Sequence, residues 1–240
     1  TYYQLESFKA STGFADNNKR VARLDSDLLT GEMKGDFDIL KIWQGVSSFF
    51  VRNHPGFSER LGMKSFPNAP PLEVEYVFKF NNSENFQHLF VKELDDLNGL
   101  TLQGKINSNA EAFEFYLDAP QLGLGNFRFE DVAVSSKLVE EEGLLDVAIA
   151  RTLIGDKTEI PAITLLNSIY KDTLEFGLNY QSGQASILDN LNLNGKLFLM
   201  DSTHYKVNFD QSNLFILEKP WVIQKDNYII FGDRNIEVDN

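Results

Sequence analysis

Along most of this chain apolar and polar residues alternate one by one, and a period of two is the signature of a half-buried β-strand. The clearest run places Leu72, Val74, Tyr76, Phe78 and Phe80 on one face, with Glu73, Glu75, Val77 and Lys79 on the other. Similar runs follow at Phe113, Phe115, Leu117, at Phe127, Phe129, Val132, Val134, and at Leu145, Val147, Ile149. Further on come Leu174, Phe176, Leu178, Tyr180, then Leu191, Leu193, Leu197, Leu199, then Tyr205, Val207, Phe209, and finally Leu214, Ile216. The pattern continues through Tyr228–Phe231 to Ile236 and Val238. Short clusters such as Asp118-Ala-Pro120, Gly123/Gly125, Gln181-Ser-Gly183 and Asp226-Asn227 read as turns. Strands recurring at roughly ten-residue intervals with few helices between them imply a mostly antiparallel, all-β chain.

Two stretches depart from alternation. Residues 38–52 place Ile39, Leu40, Trp43, Val46, Phe49 and Phe50 at helical spacings, and Asn53-His54-Pro55-Gly56 then stops the pattern. Residues 82–94 place Phe86, Leu89, Phe90 and Leu94 similarly, with Asn82 or Ser83 as N-cap. Two short amphipathic helices are therefore expected, and Ser65–Pro71 is expected to run extended between elements. Leu100-Thr-Leu102-Gln-Gly104-Lys105 is echoed by Leu191-Asn-Leu193-Asn-Gly195-Lys196, each followed by an alternating aromatic run. Such a repeat is the mark of a sheet that grows by adding strands.

Chemistry is sparse. The formal net charge is −13, which opposes a nucleic-acid surface and opposes flat docking on an anionic leaflet through basic residues. With no cysteine there is neither a disulfide framework nor a thiol nucleophile. The histidines, His54, His88 and His204, are scattered. Glu84 and His88 share a helix face but read as solvated, and Asp25–Glu32 reads as a turn with solvated acids, because Leu29 stands where a calcium loop needs oxygen. Gly123-Leu-Gly125 lacks the third glycine of a dinucleotide loop and is read as a bend or bulge in a sheet. No stretch approaches the roughly 18 apolar residues of a membrane span. The chain begins at Thr1, and strand patterning runs almost to Asn240, so one β-rich segment (1–240) of a longer protein is expected. The 20 phenylalanines mostly occupy one face of their strands, which is core or apolar-groove behaviour.

The C-terminal stretch Leu214-Phe-Ile216-Leu-Glu-Lys-Pro-Trp221-Val-Ile-Gln-Lys-Asp226-Asn227-Tyr228-Ile-Ile-Phe231-Gly232 resembles the TamB translocation and assembly module family, AsmA-like and of the Bacteroidota type. Gly35-Asp-Phe37-Asp-Ile39-Leu40, and the blocks from Phe78-Lys-Phe80 through Leu89-Phe90 to Leu100-Thr-Leu102-Gln-Gly104, resemble the family's upstream order. The resemblance runs from about Leu28 to Asn240 and leaves Thr1–Lys19 unplaced. It implies a long twisted sheet folded into an open trough, a β-taco, with an apolar interior. It further implies a periplasmic segment of a protein anchored in the inner membrane, serving phospholipid transfer or outer-membrane protein assembly with a BamA-type barrel.

Alternation explains how such a trough would work without an enzymatic group or cofactor: one face of a long sheet becomes a continuous apolar strip. Acyl chains laid on that strip gain about 0.8 kcal/mol per methylene removed from water. The expected lining is Leu72, Val74, Tyr76, Phe78, Phe80, Phe113, Phe115, Leu117, Phe176, Leu178, Tyr205, Val207 and Phe209. The competing expectation is a closed β-sandwich that acts as a structural or protein-interaction module and offers a sheet edge to a partner.

Overall fold

The fold is taken from a computed structural model of the chain. The structure describes residues 6–15, 18–81, 94–95, 97, 99–155, 158–181, 188–200, 204–216, 219–232 and 236–239. In chain order the elements are β1 (Phe8–Phe14), β2 (Arg20–Ser26), β3 (Leu29–Asp36), α1 (Ile42–Asn53), α2 (Pro55–Arg60), β4 (Glu73–Phe80) and β5 (Leu94–Asp95). There follow β6 (Thr101–Asn107), β7 (Ala112–Leu124), β8 (Phe127–Val139), β9 (Glu142–Ile154), β10 (Thr158–Ile160), β11 (Ile163–Tyr170) and β12 (Thr173–Gln181). The last are β13 (Leu188–Leu199), β14 (Tyr205–Phe209), β15 (Ser212–Ile216), β16 (Lys219–Ile223), β17 (Tyr228–Phe231) and β18 (Ile236–Asp239).

These strands form one antiparallel sheet, an open elongated trough that does not close into a barrel. It is a meander from β1 through β4, then β6, β7, β8, β9, β11, β12 and β13, each strand beside the last. At β13 the sheet forks. The first half of β13 pairs with β15, which leads to β16; the second half pairs with β14, which leads to β17 and β18. Two-residue loops turn several hairpins; Gly125 at φ 59° and Asn126 join β7 to β8, and Lys171 at φ 53° with Asp172 joins β11 to β12.

Two local expectations are corrected. Gly125 turns a hairpin instead of bending a continuous strand. Asp118-Ala-Pro120 is no turn but lies inside the thirteen-residue β7. Pro120 is nonetheless disruptive: Pro120, Asp131 and Ala150 drop out of register along one line across β7, β8 and β9, and Asp131 stands at φ 49°. The same line separates β10 from β11 at Pro161. Proline offers no ladder donor, so this line acts as a crease. Leu122 and Phe129, beyond the crease, pack with Ala119 and Val132 before it, around the buried Leu97 and Leu100.

The first expected helix is present as α1, but Pro55 does more than end it. Proline is well tolerated in a first helical turn, and after the single residue His54 the chain starts α2 there. The second expected helix falls on residues 82–93, outside the described residues, and Leu94 belongs to β5 instead. No described helix is long and apolar enough to cross a membrane.

Candidate functional site: the apolar face and its helical stopper

Residues directly opposite in an antiparallel ladder point to the same face, so the register assigns faces across the sheet. Met33, Tyr76, Gly104, Phe115 and Ser136 form one such row, and Gly31, Phe78, Leu102, Leu117, Val134, Val147, Leu165, Leu178 and Leu193 form the next. Beyond β13 the face continues through Leu197, Val207, Ile229 and Val238, and through Leu199, Tyr205, Phe231 and Ile236. By the same register Val74, Phe80, Phe113, Phe176 and Phe209 share this face, and Leu72 continues it just before β4. The thirteen expected lining residues therefore share one face. The alternating run in β13 and the Val132/Val134 run carried the signal for Leu193, Leu197 and Val134, which also belong to it.

The opposite face is charged. Lys34, Glu75, Lys105, Glu114 and Lys137 lie opposite one another in a ladder of alternating sign across five strands. Lys105 donates to Glu75 Oε1 at 2.8 Å and holds that carboxyl below its ordinary range, while the same bond raises Lys105. Arg151 also pairs with Glu130, and Lys196 with Glu175, and each pairing raises the cation. Hollows in the surface lie on this polar side. One of about 320 Å³ arises where small residues such as Ala133, Ser135 and Ala148 leave a gap between Tyr116 and Leu166. Such a gap is shallow, whereas the apolar strip runs the width of the sheet.

The apolar face is not uniform. At one end α1 lies on it, burying Leu72, Val74 and Ile106 with Ala22 and Phe37, while Ile42 and Val46 pack against them. Gly45 makes this approach possible, since a Cβ there would meet the Leu72 side chain at 3.1 Å. Phe49 is fully buried and stacks on Phe113, whose ring also meets Phe50 edge-on at 5.1 Å. The helix pair then crosses to the far strands. His54 Nδ1 donates to the Lys171 carbonyl at 2.7 Å, and Asp172 Oδ1 accepts from the Gly56 and Phe57 amides at the start of α2. Arg60 ends above the Tyr205 ring at 4.5 Å. The pair thus spans from β7 to β14 and stops one end of the face. At its joint, Asn53 Nδ2, His54 Nε2 and Ser58 Oγ are buried without hydrogen-bond partners, which makes the joint the least satisfied part of the stopper.

Of the thirteen residues expected to line the face, Leu72, Val74, Phe113 and Tyr205 accordingly lie beneath the helices. Tyr76, Phe78, Phe80, Phe115, Leu117, Phe176, Leu178, Val207 and Phe209 are half-buried, with no second sheet laid over them among the described residues. The ring of Tyr76 covers Gly104, and burial pushes its phenol from 10.0 up to about 12. The unfolded chain ionises this tyrosine first as pH rises. Its contribution to stability is therefore intact below about pH 10 and lost between there and about 12. Urea unfolding at about pH 9 and about pH 11 is expected to show a steeper alkaline loss for the native chain than for Tyr76→Phe, which keeps the ring and removes the titration.

Among the described residues no three histidine, aspartate or glutamate side chains gather as metal ligands. His54 is committed to the helix joint, and Glu84 and His88 lie outside the described residues. Asp27, in the acidic stretch, accepts from the Ser7 amide at 2.9 Å and from its hydroxyl at 2.7 Å, tying down the chain ahead of β1. Comparison of the chain with protein-family models, curated proteins and solved structures finds no match.

Proposed function

We propose that this chain is a non-enzymatic segment of an envelope protein of the TamB-like kind, and that its apolar face carries phospholipid acyl chains. The observation that supports this most directly is the continuous row from Phe78 through Leu102, Leu117, Val134, Val147, Leu165 and Leu178 to Leu193; Leu102, Leu117 and Val134 pack against the buried cluster of Leu97, Leu100, Ala119 and Val132, and no second sheet lies over the row among the described residues. Soluble proteins rarely leave an apolar strip that wide open to water unless something binds it. The charge ladder on the opposite face keeps such a sheet soluble, and the open ends of the rows let a chain slide without a specific contact. In this reading the segment is periplasmic, its full-length protein is anchored in the inner membrane, and a BamA-type barrel is its outer-membrane partner. Cargo is phospholipid in transit, or apolar strands of nascent outer-membrane proteins, both of which suit an unspecific apolar strip.

Organic extraction and mass spectrometry of the purified chain is expected to recover phospholipid. Phe78→Asp and Phe115→Asp each place a charge mid-strip and are expected to reduce the recovered lipid at least about tenfold, with circular dichroism unchanged. A lipid-free protein that also fails to take up a fluorescent fatty acid would leave the apolar face to a protein partner instead.

A further inference from the structure

The outer face departs from its charge ladder along β9 and β11. Gly143–Ala150 and Ile163–Tyr170 place apolar residues at consecutive positions, Leu144 beside Leu145 and Leu165 beside Leu166. Such a pattern belongs to a strand covered on both faces. Leu145 and Leu165 face the trough, whereas Leu144, Leu166 and Tyr170 lie on the outer face, 55%, 52% and 55% exposed. Leu144 stands opposite Ser168 and one diagonal step from Leu166, from Tyr170 and, on β8, from Val139, so the apolar side chains are neighbours. Small residues beside them open hollows of about 700 Å³ over Gly143 and Ser168, 520 Å³ over Gly177, and 320 Å³ over Ala133 and Ala148. The hollows follow one another along the strands from Tyr170 to Thr164, a groove roughly 20 Å long at about 3.3 Å per residue. No described element covers it.

We propose that this groove docks a basic amphipathic helix of a partner protein. Charge sets the sign of the partner. Glu142, Asp146 and Asp118 line the groove without an ion pair among the described residues. The lysines beside it are taken: Lys137 by Glu114, Lys171 by Glu141 and Lys196 by Glu175. Lysines or arginines flanking an apolar stripe complement that arrangement, whereas a second copy of this chain, itself at −13, is repelled by it. Backbone chemistry selects the helix. A sheet face offers no free N–H or C=O, so an extended segment laid on it would bury its own unpaired, while a helix satisfies its backbone internally. The groove accommodates roughly 13 residues of helix at about 1.5 Å each. The inference is independent of the proposed function, because the trough and its cargo lie on the other face.

The probe is a labelled peptide of about 18 residues, built of leucine and lysine with every leucine on one helical face. Its fluorescence anisotropy is expected to saturate as the chain is added. Leu144→Ser and Leu166→Ser, both at exposed positions, are each expected to weaken binding about tenfold, with circular dichroism unchanged. Glu142→Gln with Asp146→Asn is expected to weaken binding in low salt and to matter less in high salt. Phe115→Asp, on the trough face, is expected to leave binding unchanged. Peptides with glutamate in place of lysine, or with the leucines scattered around the helix, are expected not to bind. Binding lost in Phe115→Asp and kept in Leu144→Ser would put the peptide in the trough and overturn the proposal. So would equal binding of the glutamate peptide, self-association of the chain that Leu144→Ser abolishes, or the absence of saturable binding.

Discussion

Phe49→Ala is expected to cost about 3–5 kcal/mol, which for a chain with a typical stability of about 5–15 kcal/mol is a large share of the whole. Phe49 is fully buried and is the side chain on which α1 and the sheet meet. Its ring stacks on Phe113 at 6.2 Å and meets Phe50 edge-on at 5.2 Å. Alanine removes the ring from both contacts and leaves a hole that β7, held by ladders to β6 and β8, cannot collapse to fill. Phe50 is half-buried, so Phe50→Leu keeps most of the apolar volume and is expected to cost less than about 1.5 kcal/mol. Urea unfolding of the two variants checks the difference. Limited proteolysis adds a second readout, since a loosened α1 exposes the joint at His54–Pro55, where polar atoms already go unsatisfied. Equal midpoints for Phe49→Ala and the native chain would mean that α1 contributes nothing to the fold's stability.

The stopper also marks where sequence patterning ceases to inform. Strand β4 is legible because Leu72 to Phe80 alternate with only Val77 departing from the polar side, and the faces of β7, β12 and β14 follow by the same rule. A period of two, however, says which residues share a face and nothing about what covers it. Leu72 and Val74 look like Phe78 in sequence, yet α1 buries the first two and leaves the third half-open, a distinction made entirely by tertiary packing. Pro55 illustrates a different gap: proline ends a helix and also suits the first turn of the next, and only the chain's geometry at His54 decides between them. Asp118-Ala-Pro120 reads in sequence as a cluster of turn residues, and Pro120 does interrupt a ladder. The interruption is absorbed as a crease, because neighbouring strands lose register on the same line. Strand β1 escaped notice since its apolar residues, Phe8, Ala10, Thr12 and Phe14 on one face, include two that are scarcely hydrophobic.

The internal repeat was legible as a string, but its physical reason lies in the ladder. Gly104 stands between Tyr76 and Phe115, and Gly195 between Phe176 and Phe209, so each block places an aromatic, a glycine and a phenylalanine in one row. A Cβ on Gly104 would lie 2.1 Å from the Glu114 carbonyl oxygen and 2.6 Å from the Tyr76 hydroxyl; one on Gly195 would lie 2.3 Å from the Asn208 carbonyl oxygen and 2.9 Å from Phe176. The aromatic ring fills the space that the missing side chain leaves, and the backbone of the next strand closes the rest. Replacing a strand glycine by alanine ordinarily gains about 0.5–1 kcal/mol of chain entropy. Here the overlap is with backbone, which cannot swing aside, and overpacking of that kind costs about 1–3 kcal/mol or more. The clash is therefore expected to win: Gly104→Ala and Gly195→Ala should each lower the unfolding midpoint, and Gly104→Val should lower it further. Gly177→Ala is the control, because its Cβ would meet only the Asn194 side-chain oxygen at 3.1 Å and a carbonyl at 3.9 Å, and it is expected to stay within about 1 kcal/mol of the native chain. Adding Tyr76→Ala to Gly104→Ala removes the ring but not the Glu114 carbonyl, so the double variant should recover none of the loss. A full recovery would mean that ring crowding alone, and not the close approach of β7, makes glycine necessary in the repeat.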